Sequence, residues 1–389
     1  MTISSLTQPI SSLYVHVPFC ARKCAYCAFY SEVARGGLVN RYVAALIREM
    51  ELVASDLKPR TVFFGGGTPS LLNLHQWQQI LDAMERLNLL GAAEWTVECN
   101  PATVSLEKAG LLRSFGVNRI SMGVQSLDGA LLKRLGRVHT QAQVFKSFDI
   151  LRKAGFDNVG LDLMFAIPGQ TMEVWRDTIV EALAMQSEHL SCYEIIYEED
   201  TPLFDQLGAH EFDADEDLAC AMYDELVDRT GAAGFRQYEI ANFARHISSE
   251  PAAVPSRACL HNVNYWRGGS FYGLGPSATD YVRGVRTRNT SNTRSYCDQL
   301  EDGWRAIEFR EELPPLTRAG ETAAFGLRMT AGWPFDEFCR VTGYDLRHEW
   351  QGEMERLVGR GWGELTPERF RLTRQGLRFA DSAAELLLR

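Results

Sequence analysis

The pattern of apolar residues predicts an α/β chain: a partial (β/α)6, TIM-like barrel that is too short to close, then a smaller α+β carboxyl-terminal region ending in a winged-helix-like module. Three observations carry this expectation. Six apolar runs of strand length, at residues 13–19, 61–65, 95–99, 119–125, 159–166 and 190–197, are separated by helical patterns, so that strand, crossover helix and parallel strand repeat. The chemically distinctive residues fall at or near the carboxyl ends of these runs, where parallel α/β folds place their ligands. From residue 316 onward the pattern changes to helix, helix and a short strand pair around Gly363 and Phe370.

The first crossover is read at residues 38–57. Leu38, Tyr42, Leu46, Met50 and Val53 recur every three or four residues on one face, while Arg41, Arg48 and Glu51 point outward. A helix over 214–232 closes the repeating region. The stretch 246–257, rich in Ser, Pro and Ala, reads as a linker. Residues 262–266 and 271–274, joined by Arg267-Gly268-Gly269-Ser270, read as a β-hairpin with a glycine-bearing turn. The expected division is a barrel domain at 1–245, a linker and hairpin region at 246–315 and the winged-helix-like module at 316–389.

The chain has 389 residues, a formal charge of −10, 46% hydrophobic residues and 23% charged ones, as an ordinary globular protein of two or three domains would. The acidic balance argues against nucleic acid as a partner, since phosphate recognition rests on Lys and Arg. From Arg310 onward, 12 Lys plus Arg face 13 Asp plus Glu, so the winged-helix-like tail lacks a DNA reader's basic footprint and reads as a docking or lid element. Residues 1–12 lack a basic stretch followed by an apolar one, and no segment is apolar over a membrane-spanning length. The expected location is cytoplasmic, with any membrane contact peripheral. Nine cysteines read as three metal ligands plus buried thiols at Cys99, Cys192, Cys220, Cys259, Cys297 and Cys339.

Cys20, Cys24 and Cys27 form a C-x3-C-x2-C run directly after the first strand. Three soft thiolates on one loop suit three corners of a [4Fe-4S] cubane and leave its fourth iron open. Three unrelated thiols or a zinc site are the alternatives. Structural zinc needs a fourth ligand, and His16 and His139 lack the usual paired spacing. After the second strand comes Gly65-Gly66-Gly67-Thr68-Pro69, a turn where backbone can approach a ligand and Thr68 can donate to a carboxylate; a plain tight turn is the bland reading.

On these residues the chain resembles the radical S-adenosylmethionine (SAM) superfamily, and more narrowly the branch holding oxygen-independent coproporphyrinogen dehydrogenase and the heme chaperone related to it. The resemblance covers essentially the whole chain. The cluster motif matches as Cys20, Cys24 and Cys27, with Tyr14 six residues upstream; the glycine motif as Gly66, Gly67 and Thr68; further matches are Glu98, Gln125, Arg137 and Asp162. The resemblance implies that these positions contact SAM, which chelates the open iron. Arg137 offers a fork of donors for a carboxylate, Glu98 and Asp162 accept from ribose hydroxyls or an ammonium, Gln125 does either, and Tyr14 stacks or hydrogen-bonds.

Two features divide the branch. Coproporphyrinogen dehydrogenases carry another cysteine two residues after the third cluster cysteine, where this chain has Phe29, and a longer segment before the cluster motif. The run His261-Asn262-Val263-Asn264-Tyr265-Trp266 matches the H-N-x-x-Y-W motif of the heme chaperone subfamily. Imidazole is a common axial ligand of heme iron, and Tyr and Trp supply apolar faces for a porphyrin, so the resemblance implies heme bound near His261. The expected protein is a heme chaperone with a SAM-chelated cluster, delivering heme to membrane-bound respiratory acceptors through peripheral contact, with a homodimer as a further expectation. The alternatives are a radical coproporphyrinogen III dehydrogenase and a radical methyltransferase that opens heme.

Overall fold

The computed structural model describes residues 8–249 and 252–389. Residues 1–7, part of the stretch searched for a leader, and residues 250–251 of the expected linker lie outside the described residues. Six strands run parallel in sequence order: β1 (Ile10–Val17), β2 (Leu57–Gly66), β3 (Glu94–Cys99), β4 (Arg119–Gln125), β5 (Val159–Phe165) and β6 (His189–Glu194). The crossovers are α1 (Gly36–Val53), α2 (Leu74–Arg86), α3 (Leu106–Ser114), α4 (Gly129–Arg134) with α5 (Gln141–Lys153), and α6 (Met172–Ala184). The barrel expected from the alternation is present, and it is open. β6 continues into α7 (Pro202–Gly208) and α8 (Glu216–Ala232), then antiparallel β7 (Phe235–Gln237) and β8 (Asn242–Arg245) extend that edge.

Side chains alternate across these strands with unusual chemical consistency. One face carries Leu13, Val15, Val17, Val62, Phe64, Trp95, Val97, Ile120, Met122, Val124, Leu161 and Leu163, all buried under the helices. The opposite, inward face is largely polar: Ser12 registers with Thr61 and Thr61 with Glu94, Thr96 with Arg119, Glu98 with Ser121, and Asp162 with Ser191. TIM-type barrels fill this space with branched apolar side chains. Here the interior is a hydrogen-bonding medium.

Two expectations are corrected. Residues 262–266 are not a hairpin strand but part of α9 (Leu260–Trp266), and β9 (Tyr272–Leu274) pairs parallel with β1 instead. The reason is tertiary: Glu94 accepts from the amides of Leu260 and His261 at 2.8 and 2.9 Å, starting the helix, and His261 meets the Tyr265 hydroxyl one turn on at 2.7 Å. These contacts override the strand preference of Val263, Tyr265 and Trp266. Among the remaining cysteines, Cys99, Cys192, Cys259 and Cys297 are buried as expected, but Cys220 and Cys339 are exposed, each on the outer face of an amphipathic helix.

β9 is held beside β1 by a buried charge network. Glu49 of α1 accepts from the Gly275 amide (2.8 Å), Asn289 (2.8 Å), Tyr296 (2.7 Å) and Arg305 (3.0 Å), and Arg305 also reaches Asp280 at 2.6 Å. Residues 272–306 thereby join the barrel core. A second apolar core, including Trp333, Phe338, Trp350 and Phe370, lies in the carboxyl-terminal region, where three strands and several helices pack together. No helix among the described residues is long and apolar enough to cross a membrane.

Arg305→Ala leaves Glu49 and Asp280, 0% and 4% exposed, without their cation. The expected loss is about 3–5 kcal/mol of unfolding free energy, read from urea melts. A variant within experimental error of the parent contradicts this role for the network.

Candidate functional site

The loop between β1 and α1 carries all three motif cysteines and has almost no regular structure of its own, so its shape is imposed by what it is pinned to. The amides of Gly67 and Thr68 donate to the carbonyls of Val17 and Phe19, each at 2.8 Å, fastening the glycine turn to the root of the loop. Glu32 and Ala34 return to Pro18 and Cys20, Ala25 donates to Leu135, and Leu203 donates to Ala25. The glycines serve this fastening. A Cβ on Gly67 falls within 2.8 Å of the Val17 and Phe19 carbonyls, and one on Gly66, whose φ is +99°, falls 2.5 Å from the His16 ring.

The partly exposed thiols of Cys20, Cys24 and Cys27 line a cavity of about 470 Å³ at the carboxyl ends of the strands. Gly66, Gly67, Thr68, Glu98, Gln125, Arg137 and Asp162 line it as well, so ten of the twelve expected site residues share one chamber. Thr68 donates toward the Cys20 sulfur at 3.7 Å and Arg137 toward that of Cys24 at 3.6 Å. Gln125 adopts a φ of +65° where the β4–β5 register shifts, a local irregularity that turns its side chain into the chamber.

The deep wall is acidic. Ser121 donates to Asp162 at 2.9 Å, Ser191 also donates to it, and burial still raises the Asp162 pKa above the usual carboxylate range. Burial, then the charge of Asp162, pushes Glu98 up to about 8, against the Gly66 amide that donates to it. Glu98 therefore carries a proton at neutral pH and can donate as well as accept. On the opposite side, Arg137 spends one nitrogen on the Gly123 carbonyl at 2.6 Å, while its buried Nε has no partner.

Tyr14 and His261 do not line the chamber. His16 is kept neutral by burial and donates through Nε2 to the Tyr30 carbonyl at 2.9 Å; its Nδ1 then accepts from the Tyr14 hydroxyl at 3.0 Å. Tyr14 thus braces the far end of the cysteine loop through His16. His261, expected as the heme ligand, is 1% exposed, Nδ1 bonding the Thr61 hydroxyl at 2.9 Å and Nε2 that of Tyr265 at 2.7 Å. Burial and the nearby Arg119 pull its pKa down to about 3, so it stays neutral. Phe63, stacked on the His261 ring, lines the chamber in its place, and Asn262 is the member of that motif that reaches it. His139 is also turned away, bonding the Val124 carbonyl at 3.0 Å.

Sequence reasoning missed Arg119, Ser121, Ser191, Tyr193 and Tyr26 as lining residues. The signal was available for all but Tyr26: Arg119, Ser121, Gly123 and Gln125 alternate along β4, as do His189, Ser191 and Tyr193 along β6, and two-residue periodicity puts each set on one face.

The donor set fits both groups that the sequence suggested. Among the described residues no three His, Cys, Asp or Glu side chains close on a single ion, and a cubane places its irons at separate corners, one thiolate to each. Arg137, with an unpaired buried donor, fits a carboxylate; Glu98 and Asp162 fit an ammonium or ribose hydroxyls.

Comparison with known proteins agrees with this geometry. Residues 14–182 match the Radical SAM superfamily and residues 313–379 the HemN C-terminal domain. The heme chaperone HemW of Lactococcus lactis is 33% identical over 385 residues, 98% of this chain and 96% of that one. The heme chaperone HemW of Escherichia coli is 31% identical over 390 residues, 98% of each chain. Coproporphyrinogen III oxidase (HemN) from Escherichia coli superposes with a TM-score of 0.81 at 19% identity, over 98% of this chain and 90% of that one, which shows a common fold.

Gly66→Ala is expected to push His16 off the glycine turn and to lower cluster content after anaerobic reconstitution at least severalfold, measured as iron and labile sulfide; parental loading contradicts the fastening role. Glu98→Gln tests the raised pKa. A carboxyl with a folded pKa of about 8 favours the fold below its unfolded pKa and loses that contribution as pH rises through 8. Between pH 6 and 9 the ligand-free parent should therefore lose thermal stability relative to the variant, by a few kcal/mol; parallel melting profiles contradict it.

Proposed function

The chain belongs to the heme chaperone HemW family within the radical SAM superfamily, and from that premise we propose that it is a heme carrier whose chamber holds a [4Fe-4S] cluster on Cys20, Cys24 and Cys27 beside SAM. The observation that carries this reading is the convergence of three free thiols, a glycine turn, Glu98, Asp162, Gln125 and Arg137 in one chamber. When bound, the cluster supplies an open iron that the amino-acid end of SAM chelates.

The chain's own residues then have distinct tasks. Thr68 and Arg137 already donate toward the sulfurs of Cys20 and Cys24, and such bonds stabilise thiolate charge. Arg137 supplies the chamber's cation for the cofactor's carboxylate. Asp162, held by two serines, accepts from an ammonium or a ribose hydroxyl, and protonated Glu98 donates or accepts beside it. Gln125 completes the polar wall.

Heme is assigned to this chain through the family, with delivery to heme-accepting respiratory proteins at the membrane, peripheral contact from the cytoplasm, and a homodimer as its assembled state. No role is proposed with nucleic acid. The working units are the barrel at 1–245, the linker region at 246–315 and the terminal module at 316–389. Phe29, standing where coproporphyrinogen dehydrogenases carry a further cysteine, favours carriage over porphyrinogen oxidation.

The test is anaerobic. Reconstituted protein titrated with hemin should show stoichiometric Soret changes, while coproporphyrinogen III with SAM and reductant should give no protoporphyrinogen. Robust decarboxylation makes the protein an enzyme and overturns the proposal. Cys24→Ala is expected to lose the labile sulfide of the cluster yet retain hemin binding within about threefold; full cluster content in that variant removes Cys24 from the ligand set.

A further inference from the structure

The heme reading needs a place for a flat, largely apolar macrocycle with an anionic edge, and buried His261 does not supply one. The mouth of the chamber does. Phe29, Ile196 and Val138 all line it and are 69%, 66% and 48% exposed, whereas Tyr193 reaches inward to Ser191 at the deep wall. Single exposed apolar side chains are ordinary, but three around one concave opening form a patch that water covers at a cost of about 25 cal/mol per Å² of apolar surface. They come from three separate segments: the cysteine loop, the stretch after α4 and the exit loop of β6.

The charges on the rim are segregated. Arg22 and Lys23, exposed on the cysteine loop, form no ion pair among the described residues, and Arg22 lines the mouth beside Phe29. Glu194 and Glu198 line the arc that bears Ile196. An amphiphile with carboxylates on one edge is therefore welcomed at the Arg22 side and repelled at the other. The deep wall is unsuited to a macrocycle, because its carboxylates and serines would be stripped of polar partners.

We propose that heme is carried at the chamber mouth, its macrocycle against Phe29, Val138 and Ile196 and its propionates toward Arg22 and Lys23. This rests on the heme-carrier reading above and names that ligand's site. The position gives heme access to solvent and to an acceptor. A buried site on His261 would require α9 to open.

Anaerobically reconstituted full-length protein, with iron and labile sulfide measured for each variant, is titrated with hemin and with the iron porphyrin dimethyl ester, which lacks the propionate charges. Ile196→Asp and Val138→Asp should weaken hemin binding about tenfold or more. The double change Arg22→Glu, Lys23→Glu should weaken hemin several-fold, most at low ionic strength, and leave the dimethyl ester unchanged. Ile196 lies far from the cysteines in the chain, so that variant decides the matter if Phe29→Asp disturbs the cluster. If the parent binds hemin stoichiometrically and Ile196→Asp and Val138→Asp bind it equally well, heme sits elsewhere and the mouth serves another partner. If the parent binds no hemin, the heme-carrier reading itself fails.

Discussion

The site depends on backbone fastened to backbone: the glycine turn at the end of β2 lies against the root of the cysteine loop, with Gly67 and Thr68 donating to Val17 and Phe19. A loop of about a dozen residues without helix or strand pays its full ordering entropy from such contacts. Every other feature of the chamber is referenced to this joint. Gly66 admits the His16 ring, His16 holds Tyr30, and Tyr30 in turn meets Thr293, so the loop is tied at its entry, its exit and the distant insert beside β9.

The second constraint is the inversion of the barrel's polarity. Helices cover one face of the sheet, so that face is uniformly apolar, and the inner face is free to carry Thr61, Glu94, Thr96, Glu98, Arg119, Ser121, Asp162 and Ser191. Burying these groups costs free energy that only mutual hydrogen bonding offsets. In the lower layers Glu94 pairs with the α9 amides and His261 with Thr61 and Tyr265. At the open end Glu98 and Asp162 share a wall with raised pKa values, and Arg137 faces them across the chamber.

Much of this was legible in the residues. Strand order, the crossovers and the convergence of Cys20, Gly66, Glu98, Gln125 and Asp162 followed from apolar runs and motif positions, because parallel strands bring their carboxyl ends together, while Arg137 was expected there only through the resemblance. What was not legible depended on partners distant in sequence. The H-N-x-x-Y-W segment reads as strand from its side chains, yet Glu94, more than a hundred residues earlier, starts it as a helix. The same fold turns His261 inward, so a residue type suited to iron became part of the packing. Tyr14, two residues before His16 on one strand face, acquired a bracing role for a similar reason. Sequence pattern identifies a face; which groups satisfy one another on that face is decided by register.

A carrier and a radical enzyme can share this fold because the chamber has two chemically unlike ends. The deep end offers charge and hydrogen bonds at fixed positions, the requirement for holding a small polar cofactor in one pose. The mouth offers exposed apolar surface with cations on one side, the requirement for holding an amphiphile that must leave again. Phe29 stands at the mouth on the same loop as the thiols. In the proposed arrangement, a ligand that orders the loop from below also fixes Phe29 for a ligand above, and linkage makes the effect reciprocal: heme bound at the mouth favours a loaded cluster by the same factor, no more than the roughly threefold allowed for Cys24→Ala.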